Sequence, residues 1–196
     1  MRDIHFYSGR MGNELFRDAY LYAQMREGNI PDVYVQDYRY FEKYADEIKK
    51  RYSEGIGLLP YTAIHLRVGG NPINPDEPRY MDNPFYTSLV NTGFYIKALE
   101  HFPHGKFIVF SDDLPFAKKY FEGDRFAFDD SQTDLEAFNK ASSCQHHIIS
   151  NSSFSYWWAW LSPHIDKKVI CPSETSWYAD GKVRTYVPKE WTQIEP

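Results

Sequence analysis

From residue 61 onward, short apolar runs alternate with longer runs of helical periodicity, and this alternation constrains the fold more than any other feature. The predicted strands cover residues 61–68, 106–111, 125–128, 146–150 and 168–171; the predicted helices cover 85–101, 114–121, 134–143 and a Trp-rich run after Asn151. Residues 69–84 are rich in Pro, Asn and Gly and predict a loop. Strands and helices in this order indicate an α/β fold with a mostly parallel sheet.

The first 60 residues have a weaker pattern and leave little room for a full domain. The elements predicted there are a strand at 4–8, a turn at Gly9 and Gly12, a helix at 13–26, a second strand at 32–36 and a charged helix at 40–53. We therefore expect a reduced N-terminal subdomain over residues 1–60 and a Rossmann-like domain over residues 61–196.

Polar residues follow the predicted strands at their carboxyl ends. Gly12 and Asn13 follow the first strand, Arg67 ends the strand at 61–68, and Asp112 comes directly after the strand at 106–111. Ser152 and Ser153 follow the strand at 146–150. Because the carboxyl ends of parallel strands meet at one edge of a sheet, these residues are predicted to share one cleft.

Residues 148–161 run from an apolar strand through hydroxyl-bearing residues into an aromatic helix. Such a junction can bind an anion, because early-helix N–H groups and the helix dipole both favour negative charge. The alternative is an ordinary N-cap, and the two roles can coexist. The polar residues concerned are Ser150, Asn151, Ser152, Ser153 and Ser155. We assign Trp157, Trp158 and Trp160 to helix packing.

Composition narrows the classes of partner. The net charge is −5 and there is no basic run, which argues against a general nucleic-acid binder. The aromatic share of 18% suits a sugar-facing surface, but we assign most of these rings to core packing.

The two cysteines argue against a disulfide framework and favour a reduced, cytoplasmic setting. Cys144 is placed in a predicted helix and Cys171 in a predicted strand. We expect no membrane span and no signal peptide. The seven histidines form no recognised ligand pattern with the cysteines, so we expect neither a metal nor another cofactor.

Four stretches, in order, resemble the family 11 glycosyltransferases, the alpha-1,2-fucosyltransferase family. They are Gly9-Arg10-Met11-Gly12-Asn13-Glu14-Leu15-Phe16, Ile64-His65-Leu66-Arg67, Phe110-Ser111-Asp112-Asp113 and the Asn-Ser-Ser-Phe-Ser run that begins at Asn151. The resemblance covers most of residues 4–172 and is to the soluble microbial or viral type. It implies a GT-B-like arrangement, here with a reduced N-terminal half, and inverting, metal-independent transfer of L-fucose from GDP-fucose to a glycan hydroxyl, with alpha-1,2 linkage to galactose favoured.

The resemblance also implies roles for individual residues. Arg67 contacts the donor diphosphate as the catalytic residue and His65 lies beside the nucleotide. Asp112, next to Ser111, reads guanine, with Asp113 as its rival or as a helix cap. Further donor and acceptor contacts are implied at Ser152, Ser153, Phe154, Arg10, Gly12 and Asn13.

The sequence departs from the family's His-x-Arg-Arg-x-Asp motif, because Val68 replaces the second Arg and Gly70 the Asp. A non-catalytic member that binds nucleotide sugar or glycan is therefore the second hypothesis. The general base is left open among Glu14, Asp37, Asp76 and Glu77, each of which is also explained as a solvent-facing charge. The short N-terminal half could also expose an apolar face, which a homodimer would cover.

Overall fold

The structure is a computed structural model that describes residues 11–26, 36–70 and 78–196. The helices are α1 (Met11–Arg26), α2 (Ala45–Tyr52), α3 (Phe94–Glu100), α4 (Leu114–Tyr120), α5 (Asp134–Ser142) and α6 (Ser153–Leu161). The strands are β1 (Leu59–Leu66), β2 (Phe107–Ser111), β3 (Phe126–Phe128), β4 (Cys144–Ile148), β5 (Val169–Pro172) and β6 (Thr192–Ile194). The predicted strand at 4–8, Gly9, Arg10 and nearly all of the predicted strand at 32–36 lie outside the described residues.

The six strands form one parallel sheet in the order β3-β2-β1-β4-β5-β6. The chain moves outward from β1 through β2 to β3, then returns to β4 on the other side of β1. The order of strands therefore reverses between β1 and β4, and a cleft forms outside the carboxyl ends of strands at such a point. The α/β, Rossmann-like prediction is confirmed.

Alternation of side chains along the strands divides the core into two layers. Ala63, Ile108 and Phe110 face the helices α1, α2, α5 and α6, whereas Ile64 and Val109 face the helices α3 and α4. The described N-terminal residues belong to the first layer, because α1 packs on α6 and the Phe41 ring stacks on Trp157 at 5.6 Å between centroids. The predicted boundary at residue 60 stays a prediction.

Local sequence signals explain two of the helix starts. Thr133 Oγ1 accepts from the backbone N–H of Glu136, and the Glu136 carboxylate accepts from the N–H of Thr133, which completes a capping box for α5. Asp113 caps α4 by accepting from the N–H of Phe116 at 3.0 Å. The capping role considered for Asp113 is confirmed.

Several predicted elements were wrong in detail. The helix expected over 85–101 covers only Phe94–Glu100, because Gly93 adopts a left-handed φ of 79° and the residues before it form turns. The helix expected over 40–53 begins only at Ala45, after two short 3₁₀ turns. Gly12 lies inside α1, which begins at Met11, rather than in a turn.

Two corrections concern strands. Cys144 opens β4 instead of lying in a helix, since α5 ends at Ser142. The edge strand β6 was not predicted, because three residues without an apolar run give no periodic signal. Cys144 and Cys171 are both buried free thiols, and burial raises the pKa of Cys144 to about 12.

Candidate functional site

The reversal point between β1 and β4 carries a cleft, and six of the predicted site residues line it. They are His65, Arg67, Ser111, Asp112, Ser152 and Phe154. The cleft also has an apolar wall formed by Met11, Phe110, Ala137 and Trp158. Residues separated by almost 90 positions in the sequence therefore share one surface at the carboxyl edge of the sheet.

His65 joins the two central strands at the base of the cleft. Its Nδ1 lies 2.7 Å from the hydroxyl of Ser150, just beyond β4, and its backbone carbonyl accepts from the Tyr95 hydroxyl at 2.7 Å. Burial lowers the pKa of His65 to about 3, and the Arg67 cation acts in the same direction. The imidazole is therefore neutral at pH 7, so that it adds hydrogen-bonding capacity to the cleft without adding charge.

Arg67 follows β1 directly and carries the cleft's cationic group. Its guanidinium pairs with the carboxylate of Asp112 and lies 5.2 Å from the centre of the Tyr80 ring. Its side chain remains 26% exposed, so that a ligand in the cleft can reach it. A planar guanidinium of this kind matches the oxygen atoms of a phosphate in a bidentate manner.

Ser111, Asp112 and Asp113 end β2 and point to different partners. The Ser111 hydroxyl donates to the carbonyl of Leu66 at 2.7 Å and so ties β2 to β1. Asp112 accepts from the backbone N–H groups of Val68 and Gly69, in the turn after β1. Asp113 caps α4 and pairs with Arg79 at 2.6 Å. The assignment of Asp112 to guanine recognition stays a prediction.

The amino end of α6 opens toward the cleft. Ser152 is the N-cap residue, yet its side chain makes no capping hydrogen bond. Phe154 packs between His65 and Trp158, with its ring centre 5.0 Å from that of Trp158. The N–H groups of a first helical turn have no partner within the helix, so this end of α6 can donate to an anion.

Other predicted anion-binding residues are engaged in contacts within the protein. The Ser153 hydroxyl donates to Asn13 Oδ1 at 2.6 Å, and the Asn151 amide donates to the carbonyls of Thr87 and Trp177. Ser155 is buried and lies within hydrogen-bonding distance of the carbonyl of Ser152. The tryptophans at 157, 158 and 160 are buried, as their assignment to packing requires, and Trp158 also lines the cleft.

Gly12 and Asn13 connect α1 to the start of α6. A Cβ atom at Gly12 would lie 2.3–2.5 Å from the backbone of Ser153 and Phe154, so only glycine permits this approach. Asn13 also accepts from Gln36 at 3.1 Å. Arg10, the third residue predicted here, lies outside the described residues.

Two acidic residues of the cleft were missed by sequence reasoning. Asp129 follows β3 and accepts from Lys140 and Ser131, and Asp134 opens α5. The position of Asp129 directly after a strand was the available signal, the same one that identified Asp112. Of the candidate bases, Glu14 pairs with Arg17 and Asp37 with Arg39, whereas Asp76 and Glu77 lie outside the described residues.

Within residues 11–26, 36–70 and 78–196, no cluster of three or more His, Cys, Asp or Glu residues could hold a metal ion. None of the described helices has both the length and the apolar character that crossing a membrane requires.

A parallel sheet with a cleft at its reversal point defines a Rossmann-like α/β protein. The sequence model of glycosyl transferase family 11 matches residues 80–195, and the chain belongs to this family.

Two curated relatives come from Escherichia coli. An alpha-1,2-colitosyltransferase is 27% identical over an alignment of 184 residues, and the match covers 82% of this chain and 60% of the relative. The O-antigen biosynthesis glycosyltransferase WbnK is 26% identical over an alignment of 141 residues, and the match covers 68% of this chain and 44% of the relative. The chain thus spans about half the length of the relatives that it matches.

Proposed function

We propose that this chain transfers L-fucose from GDP-fucose to a glycan hydroxyl, with inversion at the anomeric carbon, without a metal ion, and with alpha-1,2 linkage to galactose favoured. The observation that carries the proposal is the position of Arg67 at the reversal point of the sheet, in the same cleft as the uncapped amino end of α6. Both features stabilise negative charge, and the leaving group of a nucleotide sugar is a diphosphate.

The reaction exchanges one bond at the anomeric carbon for another. The acceptor oxygen forms a bond to that carbon while the bond to the diphosphate oxygen breaks, and the electron pair leaves with the diphosphate. The acceptor proton passes to a base or to solvent. Because the beta-linked donor is attacked from the opposite face, the product is an alpha-fucoside.

Charge on the departing diphosphate is what the described residues can stabilise. A guanidinium and helix N–H groups that are already oriented require no reorganisation when this charge develops. Because His65 is neutral, Arg67 and the helix end are the groups assigned to stabilise this negative charge. The transfer step is therefore assigned mainly to leaving-group stabilisation by Arg67.

The support for the donor sugar and the acceptor comes from the family and from the relatives. Family membership and the alpha-1,2 linkage in the name of one relative support transfer to a secondary hydroxyl. That same name specifies colitose, so a colitose donor is the direct competitor of GDP-fucose. Comparison of nucleotide-linked fucose and nucleotide-linked colitose in one transfer assay decides between them.

A non-catalytic sugar-binding role is the second candidate, and residue 68 motivates it. Val68 is fully buried in the apolar layer beneath α3 and α4, so the second arginine of the family motif has no place there without displacing core residues. Gly70 is exposed. Val68→Arg would therefore disturb the core as well as restore a residue of the family motif. Gly70→Asp restores the other missing motif residue at an exposed position, so its effect on transfer is easier to interpret.

Replacement of Arg67 tests the proposed activity. Arg67→Ala should lower the transfer rate from GDP-fucose to a galactoside by about 100-fold or more, because one preorganised charge-stabilising group is lost. Arg67→Lys should retain part of the rate, since it keeps the charge but loses the bidentate geometry. The rate is measured by the release of GDP together with detection of the fucosylated product.

Arg184 provides the matched control, because it pairs with Asp180 on an exposed surface. Arg184→Ala should leave the rate unchanged. Equal rates for wild type and Arg67→Ala would overturn the assignment of Arg67, and binding of GDP-fucose without any transfer would favour the non-catalytic role.

A further inference from the structure

We propose that Asp112 is a positioning residue for Arg67: it fixes the turn after β1 and aims the guanidinium into the cleft, rather than reading the base of the nucleotide. The inference rests on the proposed function, in which Arg67 binds the donor diphosphate. It assigns Asp112 a role different from the one that the family resemblance implies.

The carboxylate of Asp112 contacts three consecutive residues. Its Oδ1 accepts from the backbone N–H of Val68 at 3.0 Å and of Gly69 at 2.9 Å. Its Oδ2 accepts from Nη1 of Arg67. A carboxylate has about four acceptor sites, so these three donors use most of its capacity. Little capacity remains for the ring N–H and the exocyclic amine of a guanine.

The turn that Asp112 holds is fixed from its other side as well. Val68 is fully buried, and the carbonyl of Gly69 accepts from the N–H of Tyr80 at 2.7 Å. The ring of Tyr80 lies beside the Arg67 guanidinium. The turn is therefore held by the core, by the Tyr80 segment and by Asp112, and the arginine projects from it.

Gly69 shows how closely the carboxylate fits. A Cβ atom at Gly69 would lie 2.8 Å from Cγ and 2.9 Å from Oδ2 of Asp112, both closer than such atoms approach in proteins. The φ angle of Gly69 is not in the left-handed region, so its backbone alone does not require glycine. Glycine is required at position 69 because the Asp112 carboxylate occupies the space that a Cβ atom would need.

Pairing with Asp112 leaves Arg67 able to bind phosphate. The guanidinium has five N–H donors, and the contact with Asp112 is made through Nη1. A guanidinium held at one nitrogen loses less conformational entropy when a ligand arrives at the others. Asp112 therefore increases affinity for the diphosphate through Arg67, whatever base the nucleotide carries.

The two roles of Asp112 predict different binding behaviour. Asp112→Asn keeps an acceptor for the turn but removes the charge that holds Arg67. If Asp112 positions Arg67, this variant should lose affinity for GDP and for IDP by the same factor, about tenfold, because a charge-assisted contact is lost. IDP lacks the exocyclic amine of guanine, so a base-reading carboxylate would instead show a changed ratio of GDP to IDP affinity.

A steric variant tests the same contact without changing any polar group. Gly69→Ala should weaken GDP binding in the same direction, whereas Gly70→Ala should not, because no described atom lies within 4 Å of a Cβ at Gly70. Asp113→Asn is the second control, since asparagine also caps helices and keeps the α4 cap. Thermal unfolding of each variant separates weaker binding from loss of fold.

A double-mutant cycle decides whether Asp112 acts through Arg67. In an Arg67→Ala background, Asp112→Asn should cause no further loss of GDP affinity, because the residue that it positions is already absent. Additive losses, or a GDP/IDP ratio that changes in Asp112→Asn alone, would overturn the inference while leaving the proposed donor in place. If wild type does not bind GDP, the proposed function fails, and this inference fails with it.

Discussion

His65 and His147 are held in an uncharged state by the fold. Both are buried at two adjacent central strands, and burial is the main cause that lowers the pKa of each to about 3. His65 lies at the cleft and bonds Ser150, whereas Nε2 of His147 lies 3.0 Å from the carbonyl of Ala141. At this scale the sequence showed neighbouring histidines at 146 and 147 but not which side chain would be buried.

From the lowered pKa values of these two histidines, we expect the protein to lose stability in mild acid. In the unfolded chain a histidine binds a proton below about pH 6.5, whereas in the folded protein these two histidines stay unprotonated until the pH falls to about 3. The unfolded state thus binds more protons between these values, so the free energy of unfolding falls as pH falls, by about 1.4 kcal/mol per pH unit for each histidine.

Urea unfolding at pH 7 and pH 5 measures this effect, and His147→Gln supplies the comparison. Glutamine keeps an N–H donor for the carbonyl of Ala141 but does not titrate, so the variant should lose less stability between the two pH values. An identical pH dependence in wild type and variant would show that His147 is not excluded from protonation in the fold.

At the scale of elements, the sequence predicted most of the strands and helices from residue 61 to 172 because their apolar periodicity is set by the two faces of the sheet. It could not predict that Gly93 would interrupt a long helical pattern, or that Thr192–Ile194 would pair as an edge strand. The contact of Asp112 with the turn after β1 was also hidden, since it joins residues more than 40 positions apart.

The junction of α1 and α6 gives a prediction at this scale. Gly12→Ala should destabilise the protein by about 1–3 kcal/mol, because the new methyl group would overlap the backbone at Ser153 and Phe154. The higher helix propensity of alanine, about 1 kcal/mol at most, does not offset this overlap. The free energy of unfolding in urea measures the difference.

Gly57→Ala is the control for Gly12→Ala, since a Cβ at Gly57 would meet only the Ser143 hydroxyl at an ordinary 3.8 Å. This control should be close to neutral. A Gly12→Ala variant as stable as wild type would mean that α1 does not approach α6 as closely as described. Because α6 carries Ser152 and Phe154, its displacement should also weaken ligand binding in the cleft.

At the scale of the whole molecule, residues from both ends of the described chain share one core. Phe16 and Phe41 pack against the aromatic residues of α6, and Trp191 lies 4.8 Å from Tyr156 between ring centres. The helix α6, which carries residues of the cleft, is therefore held in place partly by residues from the first 50 positions. The family, the parallel sheet and the carboxyl-edge cleft were predictable from strand-end residues, whereas the partners of those residues were set by tertiary packing.

Calorimetric titration with GDP, UDP and ADP tests whether the cleft between β1 and β4 binds the guanine nucleotide of a sugar donor. Wild type should bind GDP at least tenfold more tightly than UDP or ADP, and Arg67→Ala should lose most of this affinity, whereas Arg184→Ala should keep it. Equal affinity for the three nucleotides, no binding, or full GDP affinity in Arg67→Ala would rule out a guanine-nucleotide site built on Arg67.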